Sequence, residues 1–304
     1  MCLQSRLLSC SSVILRSKKS AYSLSKLVLI FSILSQVSCM ITPNTQVEKE
    51  NDAASSHSIR TNISLNIRPK ASLDLVLIRP TQPIATLVLM PGGPGKIGIS
   101  GINIANRIDF VTLTAEMFVA QQIAIAVIDA PSDHPDGLTP RYRQTKTHEA
   151  ELTTIVERLK NETGLPIWVL GISRSTLSAM HAAINIEDDI SGLVLLSSIT
   201  NIPTGSGATN LTNLNLDQVS IPTLVIAHKK DSCQGTPPRG ATEILGSLKK
   251  SPNAMVKFFQ GGFESGYNPC LPGTYHTFNG IQDKVAKLIA EFIKNNIKSN
   301  NHSD

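Results

Sequence analysis

Ile167-Trp-Val-Leu-Gly-Ile-Ser-Arg-Ser-Thr176 is the stretch on which the reading of this chain turns. It opens as a short apolar strand, tightens at Gly171, presents Ser173, and passes into a helix expected from about Arg174 to Ile184. Strand, tight turn and helix in that order lift one hydroxyl out of a sheet onto a helix N-terminus. There the local dipole favours the negative charge that develops in acyl transfer. The turn closes only if the residues two before and two after the serine are small. Gly171 meets that need, and Ser175 stands where a second glycine is usual, small but carrying a Cβ. A lone motif of this kind is weak, so its partners matter.

Outward from it, strands and helices alternate. Leu73–Ile78 alternates early, as an outer strand should, and Ala85–Met90 and Ile123–Ile128 read as buried strands. His148–Lys160 places Leu152, Ile155, Val156 and Leu159 at helical spacing. Gly192–Ser197 and Pro222–Ala227 are two further buried strands, Ala241–Lys250 a helix, Ala254–Phe259 a strand and Ile281–Ile297 a final amphipathic helix. Near-continuous apolar strands between helices imply a mostly parallel, doubly wound sheet covered on both faces. Chemistry in such sheets gathers where strand C-termini meet loops.

Two loops supply the partners a serine needs. The strand Pro222–Ala227 runs into His228-Lys-Lys-Asp231, and Thr274-Tyr-His276 immediately precedes the last helix. A serine hydroxyl is a poor nucleophile until an imidazole takes its proton, and that imidazole needs an acid to fix its tautomer. Ser173 is therefore the expected nucleophile, His276 the general base and Asp231 the orienting acid. His228, three residues from Asp231 on the same loop, is expected to be structural. His148 and His181 are expected on helices as surface or core residues, and His57 and His302 lie in a tether and a tail. Asp129 and Asp133 follow an early strand, where the acid of such a set seldom sits. The turn Pro91-Gly-Gly-Pro-Gly95 offers oxyanion donors. Pro94 has no N–H, so the Gly93 amide, with Gly92 second, is paired with the amide of Arg174. A nucleotide loop ending at Gly95-Lys96 would need glycine in place of Met90 and a hydroxyl in place of Ile97. No cofactor is expected, and no cluster has metal-site spacing.

Over roughly residues 70–297 the chain resembles the α/β-hydrolase superfamily, with the order serine, aspartate, histidine. More narrowly it is similar to exported bacterial α/β-hydrolases with a P-G-G-x-G turn, a G-x-S-R-G/S-T elbow, an H-x-x-D-x-C segment and a late C…H-x-F-x-G segment. Here these read Pro91–Gly95, Gly171–Thr176, His228–Cys233 and Cys270…His276-Thr-Phe-Asn-Gly280. The resemblance implies an α/β-hydrolase fold and acyl transfer to water from a small-molecule acyl substrate, with a carboxylic ester first. An amide, peptide or thioester hydrolase, or a non-catalytic envelope binding protein on the same fold, are the alternatives. Between Ser197 and Ser220 only a polar, Gly/Asn/Thr-rich segment occurs, so no large lid is expected.

Charge and cysteine placement bear on location. The formal net charge is +5, but five basic residues (Arg6, Arg16, Lys18, Lys19, Lys26) and no acids precede Cys39. Removing those five leaves 23 basic against 23 acidic residues. With aromatics at 4%, the body has neither the charge nor the stacking surface for nucleic acid. Lys26, the apolar run Leu27–Leu34 and Val37-Ser-Cys39 read as an export signal, with Cys39 a candidate for lipidation despite Gln36 at an aliphatic position. The resulting plan is a signal over 1–39, a tether over 40–60, the folded domain over 61–298 and a tail over 299–304. The only membrane attachment expected is a lipid anchor at Cys39. Cys2 and Cys10 lie in the signal, which leaves Cys233 and Cys270 as an even remainder. In an oxidising compartment that implies a disulfide, with two separate buried thiols as the alternative. Such a bridge would pin the acid loop to the histidine loop.

Overall fold

The computed structural model describes residues 58–105 and 109–300, with side chains as far as 297; the expected signal, Cys39, His57 and His302 lie outside them. The elements run β1 (Ile59–Arg68), β2 (Ala71–Arg79), β3 (Ala85–Met90), the short hairpin β4 (Ile99–Ser100) and β5 (Asn103–Ile104), and α1 (Phe110–Val119). They continue with β6 (Ile123–Ile128), α2 (Lys146–Thr163), β7 (Ile167–Ile172), α3 (Thr176–Asn185) and β8 (Gly192–Leu196). The chain closes with β9 (Thr223–His228), α4 (Arg239–Ser247), β10 (Ala254–Phe259) and α5 (Gln282–Asn300).

Eight strands form one sheet in the order β1-β2-β6-β3-β7-β8-β9-β10. β2 runs antiparallel to both neighbours, and the strands from β6 to β10 are mutually parallel. The two-residue alternation of side chains splits the central strands between two cores. Val88, Val169, Leu193, Leu195 and Val225 face α2, α3 and α4. Leu87, Leu89, Trp168, Leu170, Val194 and Ile226 face α1 and α5. Burial on both faces is why these strands read as unbroken apolar runs.

Three expectations are corrected. Leu73–Ile78 lies in β2, which is not an outer strand: β1 covers its free edge, with Leu65 opposite Leu73. β1 begins at Ile59, inside the segment expected as tether; only Ile63, Leu65 and Ile67 of its alternating pattern are buried, and its other face is Arg, Asn and Ser, which is why it reads as polar. α5 continues to Asn300, past the expected domain end at 298. α1 carried no sequence expectation. It is apolar nearly all round, and Asp109 caps it by accepting from Thr112 N (3.0 Å). From Ser197 to Pro222 the chain makes only the single turns Leu211–Asn213 and Leu216–Gln218, so no helical lid intervenes.

Candidate active site

β7 passes into one tight turn, Ser173–Ser175, before α3 begins. Ser173 sits at φ +57°, a left-handed conformation that costs a non-glycine residue about 1–2 kcal/mol. Strain of this kind, held in place by its surroundings, concentrates at functional sites. Gly171 is required: a Cβ there would lie 2.5 Å from the Ser175 carbonyl oxygen. Ser175 adopts an ordinary helical conformation, φ −74° and ψ −8°, so glycine's freedom is not needed. Its buried hydroxyl accepts from Ile172 N–H (2.8 Å) and donates to the Met90 carbonyl (2.7 Å), tying the elbow to the end of β3.

The acid and the histidine meet across forty-five positions of chain. Asp231 lies in the turn after β9, its N–H bonded to the His228 carbonyl (3.0 Å). His276 lies in the single turn Tyr275–Thr277 ahead of α5, and its carbonyl accepts from the Ser197 hydroxyl (2.8 Å). The His276 Nδ1 is 2.9 Å from Asp231 Oδ2, and both side chains are 1% exposed. Thr236 Oγ1 donates to the same oxygen (3.0 Å) and lies 3.0 Å from His276 Nδ1. Cys233 N–H donates to Asp231 Oδ1 (2.9 Å). A carboxylate beside Nδ1 assigns the proton to that nitrogen and leaves Nε2 as a base. Thr236 carried no sequence signal, since nothing in its local pattern separates it from other loop threonines.

Ser173 and His276 line one cleft of about 100 Å³ with Gly92, Gly93 and Pro272. No hydrogen bond joins the two side chains among the described residues. Catalytic contacts of this kind are often open before substrate binds, and a serine hydroxyl turns freely. The Gly92–Gly93 turn lies directly against the elbow: a Cβ on Gly92 would meet the Ile172 carbonyl at 3.2 Å and Ser173 Cβ at 3.5 Å. Gly95 N–H closes the turn onto the Gly92 carbonyl (3.0 Å), and Gly93 takes φ +59°. The turn that carries Gly92 and Gly93 thus packs against the elbow turn Ser173–Ser175, which carries Arg174.

A second polar cluster supports that turn from within. Arg143, fully buried, donates from Nη2 to the Gly93 carbonyl (3.2 Å) and from Nη1 to Ser178 Oγ (2.9 Å) on α3. Ser178 Oγ is 2.9 Å from His148 Nε2, and His148 Nδ1 is 2.9 Å from Glu151 Oε2. The other Glu151 oxygen accepts from Tyr142 OH (2.7 Å) and Arg68 Nε (2.5 Å). Burial, then the charge of Arg174, bring Arg143 down to about 9, which leaves it protonated at neutral pH. Burial also holds His148 below the usual histidine value. Burial works against the Glu151 carboxylate, but hydrogen bonds from His148, Tyr142 and Arg68 outweigh it and keep its pKa low. His148 is thus a core residue, and none of this cluster was singled out as a set.

The remaining candidates have other duties. His228 donates or accepts along the backbone of its own corner: Nε2 to the Gly261 carbonyl (3.0 Å), Nδ1 from Lys230 N–H (3.1 Å), with Tyr275 stacked on the ring at 4.6 Å. Asp129 accepts from the N–H groups of Ile97, Gly98 and Ile99 (2.9–3.0 Å), and Asp133 forms a paired contact with Arg68 (2.9 and 3.0 Å). His181 sits 3.7 Å from Glu149 on the helical layer. Cys233 and Cys270 form a disulfide with Cα atoms 4.7 Å apart, joining the Asp231 loop to the loop that leads into His276.

No family model and no curated protein sequence matches the chain. Solved structures do match its shape. A dienelactone hydrolase from Anabaena variabilis aligns at 15% identity over 78% of this chain and 98% of its own, with a TM-score of 0.56. The fold is that of the α/β-hydrolases. A thermostable carboxyl esterase from Bacillus coagulans, bound to glycerol, aligns at 14% identity over 78% of this chain and 99% of its own (TM-score 0.55). A cold-adapted esterase from an Arctic intertidal metagenomic library aligns at 16% identity, covering 79% and 97%, with a TM-score of 0.52. Against that α/β-hydrolase frame, the sheet order places the elbow after β7, the acid after β9 and the histidine before the last helix.

Proposed function

We propose that this chain is an exported serine hydrolase that cleaves carboxylic esters through an acyl-serine intermediate. The observation that carries the reading is the buried Asp231–His276 hydrogen bond, delivered into the cleft that also holds Ser173 in its left-handed elbow. In the reaction, Ser173 Oγ attacks the ester carbonyl carbon while His276 Nε2 takes its proton. The tetrahedral oxyanion rests on the amides of Gly93 and Arg174. As the intermediate collapses, His276 returns the proton to the departing alkoxide, which leaves as an alcohol. Water then attacks the acyl-serine, gives its proton to His276, and releases a carboxylic acid and free Ser173. Asp231 orients His276 and stabilises the imidazolium in both halves. Export is supported by the Cys233–Cys270 disulfide, which suits an oxidising compartment, and among the described residues no helix is long and apolar enough to cross a membrane.

Labelling by a fluorophosphonate probe tests the chemistry. The wild-type chain should be labelled and Ser173→Ala should not. A panel of aryl esters of graded acyl length should be turned over with the same dependence on Ser173. Labelling that persists in Ser173→Ala refutes the assignment.

A further inference from the structure

Two clefts meet at Ser173, and they differ in charge. The smaller, toward His276, is bordered by Lys96 and Asp109, one residue of each sign. The larger, of about 450 Å³, is walled by neutral residues such as Ile199, Asn201, Gln234 and Asn268, and its one charged lining residue is Arg174. Arg174 is exposed, and among the described residues its guanidinium has no carboxylate partner. Asp231, Asp129 and Glu151 are bonded to other groups: Asp231 to His276, Asp129 to backbone N–H groups, Glu151 to His148, Tyr142 and Arg68. Behind Arg174 lies Arg143, close enough for the two charges to act on each other and likewise without a carboxylate in hydrogen-bond contact. A cleft lined by one sign of charge between low-dielectric walls concentrates ligands of the opposite sign. A guanidinium also offers paired donors that match a carboxylate.

We infer that the larger cleft binds an anionic group of the substrate on Arg174, so that the preferred substrates are esters carrying a carboxylate on the portion that lies there. The inference rests on the ester-hydrolase reading and narrows it to a substrate class. The position of Arg174, directly after the nucleophile, sets the reach: the anionic group lies a few bonds from the scissile carbonyl, as in a half-ester of a short dicarboxylic acid.

The test compares kcat/KM on the full chain for matched aryl esters. One pair differs by a terminal carboxylate against its methyl ester on the acyl side, and a second pair places the same difference on the alcohol side. One charged ester should exceed its neutral partner by about tenfold at low ionic strength, and the advantage should shrink in high salt. The charged-to-neutral ratio should fall toward one in Arg174→Gln, fall below one in Arg174→Glu, and recover in part in Arg174→Lys. Because the ratio is taken within each variant, a general loss of activity cancels. Ser173-dependent turnover with no charged preference in either pair, or a preference that survives in Arg174→Gln, overturns this inference and leaves the hydrolase reading intact. Absence of both probe labelling and turnover refutes the hydrolase reading and this one with it.

Discussion

Ser173 and His276 border an open cleft with Asp231 buried behind the imidazole, whereas Ser178, His148 and Glu151 lie buried on α2 and α3, yet the two sets share an acid–histidine contact of the same length. In each, a carboxylate oxygen sits 2.9 Å from Nδ1 of the imidazole. In the buried set Nε2 also sits 2.9 Å from a serine oxygen, closer than anything seen between Ser173 and His276. Contact alone would therefore point to Ser178 rather than Ser173. Three differences separate them. Ser178 is 1% exposed, its oxygen already accepts from Arg143, and it stands in regular helix. Ser173 faces the cleft, is held at positive φ, and has free lone pairs. A nucleophile is defined by access and by an unoccupied oxygen as much as by the imidazole beside it.

The comparison breaks first if the wrong serine proves reactive. Ser173→Ala should lower kcat by roughly 10⁵–10⁶, while Ser178→Ala should leave turnover within about tenfold of wild type. The reverse ranking in an ester assay would exchange the two roles. Asp231→Asn should cost about 10⁴ in kcat by unsettling the His276 tautomer. Glu151→Gln should instead lower thermal stability while leaving the chemical step near its original rate.

Cys233→Ala/Cys270→Ala should remove about 4 kcal/mol of stability in the chain-entropy view, given the 37-residue separation. It should also reduce activity by loosening the histidine loop against the acid loop. Full activity at unchanged melting temperature would show that the bridge does not hold the pair. Arg143→Met should lower kcat about tenfold with little change in KM, since it frees the Gly93 turn without touching substrate; loss of a direct oxyanion donor costs 10²–10³. A change in KM alone would count against it.

The smallest effect concerns pH. Burial holds His148 and His228 below the usual histidine value, so each takes up its proton at a lower pH in the folded chain than in the unfolded one. Above about 6.5 they are neutral in the unfolded chain too, and contribute nothing to the pH dependence. As pH falls below about 6.5 the unfolded chain takes up protons that the folded chain refuses, and stability drops. Melting temperature should decline from pH 7 to 5, and the slope should be shallower in His148→Gln. An equal slope in that variant would place the effect elsewhere.

The parallel sheet was legible because its strands are buried on both faces and bounded by Gly, Pro and Asp. β1 and α1 were not, for opposite physical reasons. β1 wets one face, so its polar residues blend into the preceding segment. α1 is apolar nearly all round, so no stripe announces a helix. In the site, the order of Ser173, Asp231 and His276 was readable, as was the pairing of Cys233 with Cys270. Thr236 and the Arg143 cluster were not readable, because their roles depend on partners distant along the chain: Thr236 meets His276 40 positions on, and Arg143 meets Ser178 and Gly93 35 and 50 positions away. Ser175, which stands where a glycine is usual, fits the turn through its ordinary backbone angles and its bonds to Ile172 and Met90.

That residue has a practical consequence. Restoring the consensus glycine at 175 would look like a repair, yet it would remove the hydroxyl strap and release an entropic constraint on the unfolded chain. What the position demands is a small side chain compatible with right-handed helical angles, so searches or redesigns keyed to glycine there are testing a proxy for the geometry.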